Sequence, residues 1–428
     1  MHLIVVLLFA ASAVGAPRAL TFEVPAPAEV IARIPVQCDD CRWDATGREA
    51  AVFSISVDGR YNQHLVAVRT GEATYEVLLG AMESGTHTLR IDEDATLTAT
   101  ELRGGRAKVG SITFDIVAER SAQHLPISLA PILYARSNTI GKFTDTPVLM
   151  WYEVEPTTRG SHYRYSVIFT NEDGGTPADR LMATWGRTTD IEYVYSVEVD
   201  PGGAILAEDF QGPEHETLPF SGRREGRHPL LWVSTDNNMV LDKGTTSVRH
   251  APAPAAFPLV DVSREAVMDS HPWLYRVMAE ELAREGKIVP DAPPRTGAIP
   301  DPRGFAYVEG CGTLNGARLT FAIRAGERWI VSDRGVPEYR IARDGCFRAA
   351  IPLPPSVGLS QITGLRAQAH SRLPNGDDPV GSAGPVQLTR VNKLFLLDED
   401  YRPEPSRFHW TGSLTLVPDG PPAELPLK

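Results

Sequence analysis

The chain has 428 residues, a formal charge of −12 from 42 Lys and Arg against 54 Asp and Glu, and four cysteines. That length exceeds what one hydrophobic core serves and points to about three domains. The acidic balance, with no Lys/Arg cluster to offset it, argues against a nucleic-acid partner, because neutralising phosphates needs a basic surface.

Residues 1–16 read as a secretory signal peptide, an apolar run at 3–11 followed by small residues ending at Ala16. No later segment reaches the roughly 20 apolar residues needed to cross a bilayer. The expectation is a secreted or periplasmic protein without a membrane span. An even cysteine count fits that compartment, and although four cysteines allow three connectivities, local spacing favours Cys38 with Cys41 and Cys311 with Cys346. The second bridge closes a loop long enough to stabilise by roughly 3–4 kcal/mol on chain-entropy arguments.

Residues 20–118 carry short alternating runs, among them 51–57, a turn at Asp58-Gly59, then 64–68, 75–79 and 86–91. Such spacing predicts a small antiparallel sandwich. Its Trp43, Tyr61 and Tyr75 are candidates to stack on sugar rings, with core packing the stronger expectation for at least two of them. Residues 119–250 form a second, aromatic-rich block with strand candidates at 148–154, 163–170, 191–199 and 230–233. A proline-rich run at 251–258 reads as a stiff connector, and a second one spans 290–304. Between them lies the one convincing helix, with Ser270 as cap, Pro272 in the first turn, Leu274, Val277, Met278 and Leu282 at helical spacing, and Gly286 to end it. Residues 305–418 are again strand-rich. The fold class expected is mainly β: three β-sandwich-like domains, with linkers and one amphipathic helix at 251–304 between the second and third.

Function-bearing residue types concentrate in loops of the central block. The stretch 171–175, which includes Asp173, offers oxygen ligands for a hard cation, yet Asp173-Gly174 after an alternating strand reads more strongly as a hairpin turn. Asp190 and Glu192, two apart on a strand, share a face, with Ile191, Tyr193, Tyr195, Val197 and Val199 on the other. Paired carboxylates suit a cation or acid/base work on a glycosidic bond. They equally suit a solvated strand face, where Arg187 pairs with Glu192. Arg187, Asp173, His228, Asp236 and Asn238 are the candidate ligand contacts. No G-x-S-x-G or H-E-x-x-H pattern supports a serine hydrolase or zinc protease.

The spacing G-x-x-x-D-x-E at Gly186, Asp190 and Glu192 resembles the G-H-R-H-D-W-E heptad of the necrosis-inducing, cytolysin-like secreted proteins. It is also similar to the D-W-E segment of proteins related to vacuolar sorting protein 62. The resemblance spans at most residues 124–245, where Glu214-His215 and the 230–233 strand follow in the same order. Both histidines of the heptad are replaced, by Arg187 and Thr189, and its tryptophan by Ile191. The resemblance implies a β-sandwich with a divalent cation held by Asp190, Glu192 and an upstream aspartate, here Asp179. Without the histidines the ligand set becomes all-oxygen or recruits His215, which favours Ca²⁺ or Mg²⁺ over zinc.

The function expected is recognition of a cell-surface or polysaccharide glycan through the central domain, with a cation assisting. A glycan-cleaving enzyme using Asp190 and Glu192 is the alternative, and a structural or adhesive envelope protein without a site is the third reading. Oligomeric state is not legible in the sequence.

Overall fold

The computed structural model describes residues 4–5, 18–172, 174–355, 357–371, 383–406 and 408–426. The signal-peptide reading at 1–16 therefore falls outside the described residues, apart from the backbone of Ile4 and Val5. The protein is mainly β, built from mostly antiparallel sheets with few helices. No helix among the described residues is long and apolar enough to cross a membrane. Both expected disulfides form, Cys38–Cys41 and Cys311–Cys346, the latter between residues directly opposite on neighbouring strands.

The chain divides into two compact units, one running to Gly174 and resuming over Thr189–Pro258, the other made of Gly175–Thr188 and Leu259 onward. Three blocks read along the sequence thus become two units in space, for identifiable reasons. In the first unit, strands Ala28–Cys38 and Gly71–Met82 lie in one sheet and Arg18–Val24, Gly85–Glu93, Ala51–Val57 and Arg60–Ala67 in another, with Phe22, Ile34, Phe53, Leu89 and Phe114 between them. That is the expected N-terminal sandwich. Ile31, Leu78 and Val117 of this block, however, belong to the core of the central one, beside Leu133, Tyr165, Val197 and Leu231. The proline-rich run is not a connector either: Pro254–Ala256 is a strand, parallel to Met150–Tyr152 at the edge of the central six-stranded sheet. Ala251 is buried, and Leu78 N–H donates to its carbonyl at 2.9 Å.

Trp43 is fully buried, Tyr75 packs against the first core with its hydroxyl accepting from Arg69 N–H at 3.0 Å, and Tyr61 is exposed. Core packing accounts for the first two.

The second unit contains two four-stranded antiparallel sheets around Val308, Phe321, Phe347, Leu365 and Leu394. Its main helix is Trp273–Arg284, with Leu274, Val277, Met278 and Leu282 buried as their spacing predicts. Gly286, at φ 67°, ends it, with Gly286 N–H bonded to Ala283 and Lys287 N–H to Leu282, the 5→2 and 6→1 pair of a Schellman motif. Ser270 does not cap it. It closes a short preceding helix, Ala266–Ser270, and Pro272 holds the cap position without a side-chain bond.

The expected hairpin at 171–175 is absent, since the strands it was to join are linked by residues 170–189, which carry a helix, Ala178–Trp185. Asp173 itself lies outside the described residues. This helix packs in the second unit, where Ala183 meets Val336 and Tyr339. Gly186 ends it at φ 65°, and a Cβ there would stand 2.9 Å from Arg348 Cγ.

Candidate functional site

Asp190 and Glu192 open the strand Asp190–Val199, and a bulge in that strand decides where they point. Tyr165 stands opposite Tyr195, Ser166 opposite Tyr193 and Val167 opposite Glu192, which leaves Val194 as an extra residue. One inserted residue reverses the inward and outward phase of a strand. Asp190 and Glu192 do share a face, as the two-residue spacing predicts. That face is the one carrying Tyr195, Val197 and Val199, not the opposite one. The carboxylates are therefore turned toward the core side, 1% and 7% exposed, while Tyr193 faces the other way with its hydroxyl donating to Asp209. A solvated strand face is overturned.

Three loops close over the two carboxylates. Asn238, fully buried, directs Nδ2 at Asp190 Oδ2 (2.9 Å), the Asn171 carbonyl (3.2 Å) and Asp145 Oδ1 (3.4 Å). Its own Oδ1 meets no donor among the described residues. Asn171 Oδ1 accepts from Asp145 N–H at 2.8 Å, and Asn171 Nδ2 donates to Thr144 at 2.8 Å. Arg136 pairs with buried Asp145 on one side and exposed Asp236 on the other. Glu192 makes the second branch: Gln211 Nε2 donates to its Oε2 at 2.9 Å and lies 2.7 Å from His215 Nδ1. Asn237 Nδ2 stands 3.4 Å from His215 Nε2.

The backbone here is unusually constrained. Asp145 (φ 49°), Glu214 (φ 61°), His215 (φ 62°) and Asn238 (φ 51°) all occupy the left-handed region. Such conformations cost about 1–3 kcal/mol in side chains other than glycine and gather at ligand-binding and catalytic sites. Asn and Asp tolerate them best, so Glu214-His215 is the costlier pair. The result is a buried polar floor with His215 and Asp236 exposed above it and Asn237 half-buried.

Asn238→Ala would withdraw the donor from Asp190 and from the Asn171 carbonyl, at an expected cost of about 1–3 kcal/mol. Urea unfolding measures this, and a loss under about 0.5 kcal/mol would show that other donors take its place.

The remaining candidates are engaged elsewhere. Arg187 Nε is 3.3 Å from Glu265 Oε1, both side chains buried in the second unit. His228, 1% exposed, donates from Nδ1 to the Ala130 carbonyl (2.9 Å) and faces Glu29 with Nε2 (3.0 Å). Asp179 belongs to the second unit, where Oδ2 accepts from Tyr339 hydroxyl (2.7 Å) and Arg295 N–H (2.7 Å). Among the described residues no group of three or more His, Cys, Asp or Glu side chains is arranged to hold a metal ion. Gln211, Asp145 and Arg136 were not among the sequence candidates, whereas Asn171 and Asn237 lie in stretches that were. Amides and a lone arginine carry no spacing signal, and only the register brings them to the carboxylates.

The chain matches no protein-family model, and no curated protein resembles it at a significant level.

Proposed function

We propose that the chain is an exported protein that recognises a glycan at the loop end of the central sheet, through His215, Asn237 and Asp236. The observation that carries this reading is the relay from buried Glu192 through Gln211 to His215 and Asn237. A carboxylate that fixes an amide, which in turn faces an imidazole, presents exposed polar groups in one orientation before any ligand arrives. Preorganised groups of this kind suit a hydroxyl-rich ligand, because little side-chain entropy is left to lose on binding. Binding is favoured over cleavage because Asp190 and Glu192 are both hydrogen-bonded beneath the surface. Export is supported by the apolar leader-like sequence and the two disulfides.

An array of neutral and acidic oligosaccharides tests the proposal. Retention of a glycan is expected, with His215→Ala and Asn237→Ala each weakening it about tenfold, the worth of one or two hydrogen bonds. Retention in the presence of EDTA is expected as well, and its loss would assign recognition to a Ca²⁺ or Mg²⁺ ion instead of the relay. An array without a retained glycan, or retention indifferent to His215→Ala, counts against the proposal.

A further inference from the structure

In the second unit, the sheet of Arg328–Val331, Arg318–Ala325, Ile362–His370 and Ala423–Leu425 buries Leu319, Phe321, Ile323, Leu365 and Ala367 on one face. Register places Arg324, Trp329, Gly364 and Arg366 on the other, with Arg324 opposite both Trp329 and Gly364, and Arg366 one row on, opposite Glu424. Gly364 makes room for the indole: a Cβ there would lie 3.0 Å from Trp329 Cη2. The guanidinium carbon of Arg366 sits 4.4 Å from the Trp329 ring centroid and that of Arg324 5.6 Å. The two arginines are not equivalent. Arg324 Nε donates to Thr363 Oγ1 at 3.2 Å, whereas the Arg366 side chain has neither a hydrogen bond nor an ion pair among the described residues, although Glu424 stands opposite it.

We propose that Arg366, seated on Trp329, anchors the carboxylate of a uronic-acid polysaccharide on this sheet face. A guanidinium presents its N–H donors as a fork that matches a planar carboxylate. The indole already holds that fork in place by a cation–π contact, so the rotamer entropy lost on binding is small. The ring gives the C–H face of a sugar an apolar surface to lie on. On a chain of net charge −12, two arginines flanking an aromatic ring are a local exception to the repulsion an acidic polymer meets elsewhere. A peptide fits less well, since these groups occupy a sheet face and offer no row of unpaired backbone donors and acceptors of the kind an edge presents. The site belongs to the second unit and shares no residue with the loop-end relay of the first, so Arg366→Gln and His215→Ala report on the two separately.

Calorimetric titration of the full chain with polygalacturonate at about 150 mM salt tests it, with neutral dextran and polyglutamate as comparisons. Saturable binding to polygalacturonate and none to dextran is expected. Arg366→Gln should weaken it about tenfold at an unchanged thermal midpoint, and Arg366→Lys should restore only part, having charge without the fork. Absence of polygalacturonate binding, binding unchanged in Arg366→Gln, or polyglutamate bound as tightly would overturn the proposal.

Discussion

Arg348→Met is expected to lower the stability of the second unit by about 3–5 kcal/mol, the scale for stranding a buried charge. Arg348 is fully buried and grips Asp269 with both terminal nitrogens, at 2.8 and 2.7 Å. The same head donates to Glu309 Oε2 (2.6 Å), and its Nη1 also reaches Tyr275 hydroxyl (2.6 Å) and the Glu265 carbonyl (3.2 Å). Asp269 and Glu265 belong to, or immediately precede, the short helix Ala266–Ser270, while Glu309 and Arg348 stand opposite each other on paired strands. The guanidinium thus pins that helix to the sheet, and removing it leaves Glu309 buried without its cation. Hydrogen exchange over Phe305–Thr313 and Gly345–Pro352, read with chemical unfolding, locates the loss. Converting Asp269 and Glu309 to amides alongside Arg348→Met should recover most of it, because neutral groups cost less to bury than unpaired charges. A loss below about 1 kcal/mol in the single variant would mean that water reaches the site.

Acid is expected to loosen the two units in sequence, the first unit before the second. His250 lies fully inside the first unit, where burial and then the neighbouring His64 push its pKa down to about 4, against one opposing hydrogen bond from its Nδ1 to the His64 carbonyl at 3.1 Å. The unfolded chain takes up this proton near pH 6.5 and the folded chain only near pH 4. The contribution to stability is therefore complete above about pH 6.5 and falls as pH drops toward about 4, by roughly 3 kcal/mol. His64 shifts the same way, since burial outweighs its bond to Asp94. In the second unit, burial opposes ionisation of Glu265 and Asp269, but Arg343 and Arg187 around the first, and Arg348 and Lys393 around the second, outweigh it and hold both carboxyls below their usual range. Their contribution persists until pH falls below ordinary carboxylate values, and is lost only as the folded carboxyls protonate. Exchange measured at pH 7.5 and 4.5 should show the strands around Arg60–Ala67 and Arg249–His250 opening first. His250→Asn keeps a donor near the Nδ1 position and cannot take the proton, so it should flatten this window, and an unchanged window would exclude His250 as its cause.

Features fixed by local spacing were legible in the sequence. The alternation of Ala51–Val57, the helical face of Leu274, Val277, Met278 and Leu282, and the Cys38–Cys41 bridge each depend on residues close in the chain, and Cys311–Cys346 then follows as the remaining pair. The helix Ala178–Trp185 was missed, because Asp173-Gly174 offered a turn signal in the same stretch. The bulge at Val194 left no trace. One apolar residue among Tyr193, Tyr195 and Val197 breaks no composition rule, yet it turns Asp190 and Glu192 from an exposed face to an inner one. Long-range partners were equally silent: Arg187 and Glu265 are 78 positions apart, His228 and Glu29 are 199 apart, and no periodicity connects them.

The placement of Asp190 and Glu192 beneath the surface, as supports for a binding surface, is tested most directly by incubating the chain with whichever oligosaccharide the array retains and assaying new reducing ends, with Glu192→Gln in parallel. Wild type and variant should both release none, and Glu192→Gln should bind more weakly because the hold on Gln211 and His215 is altered. Release of reducing ends by the wild type, abolished in Glu192→Gln, would contradict the account and make the two carboxylates the acid and base of a glycan-cleaving enzyme.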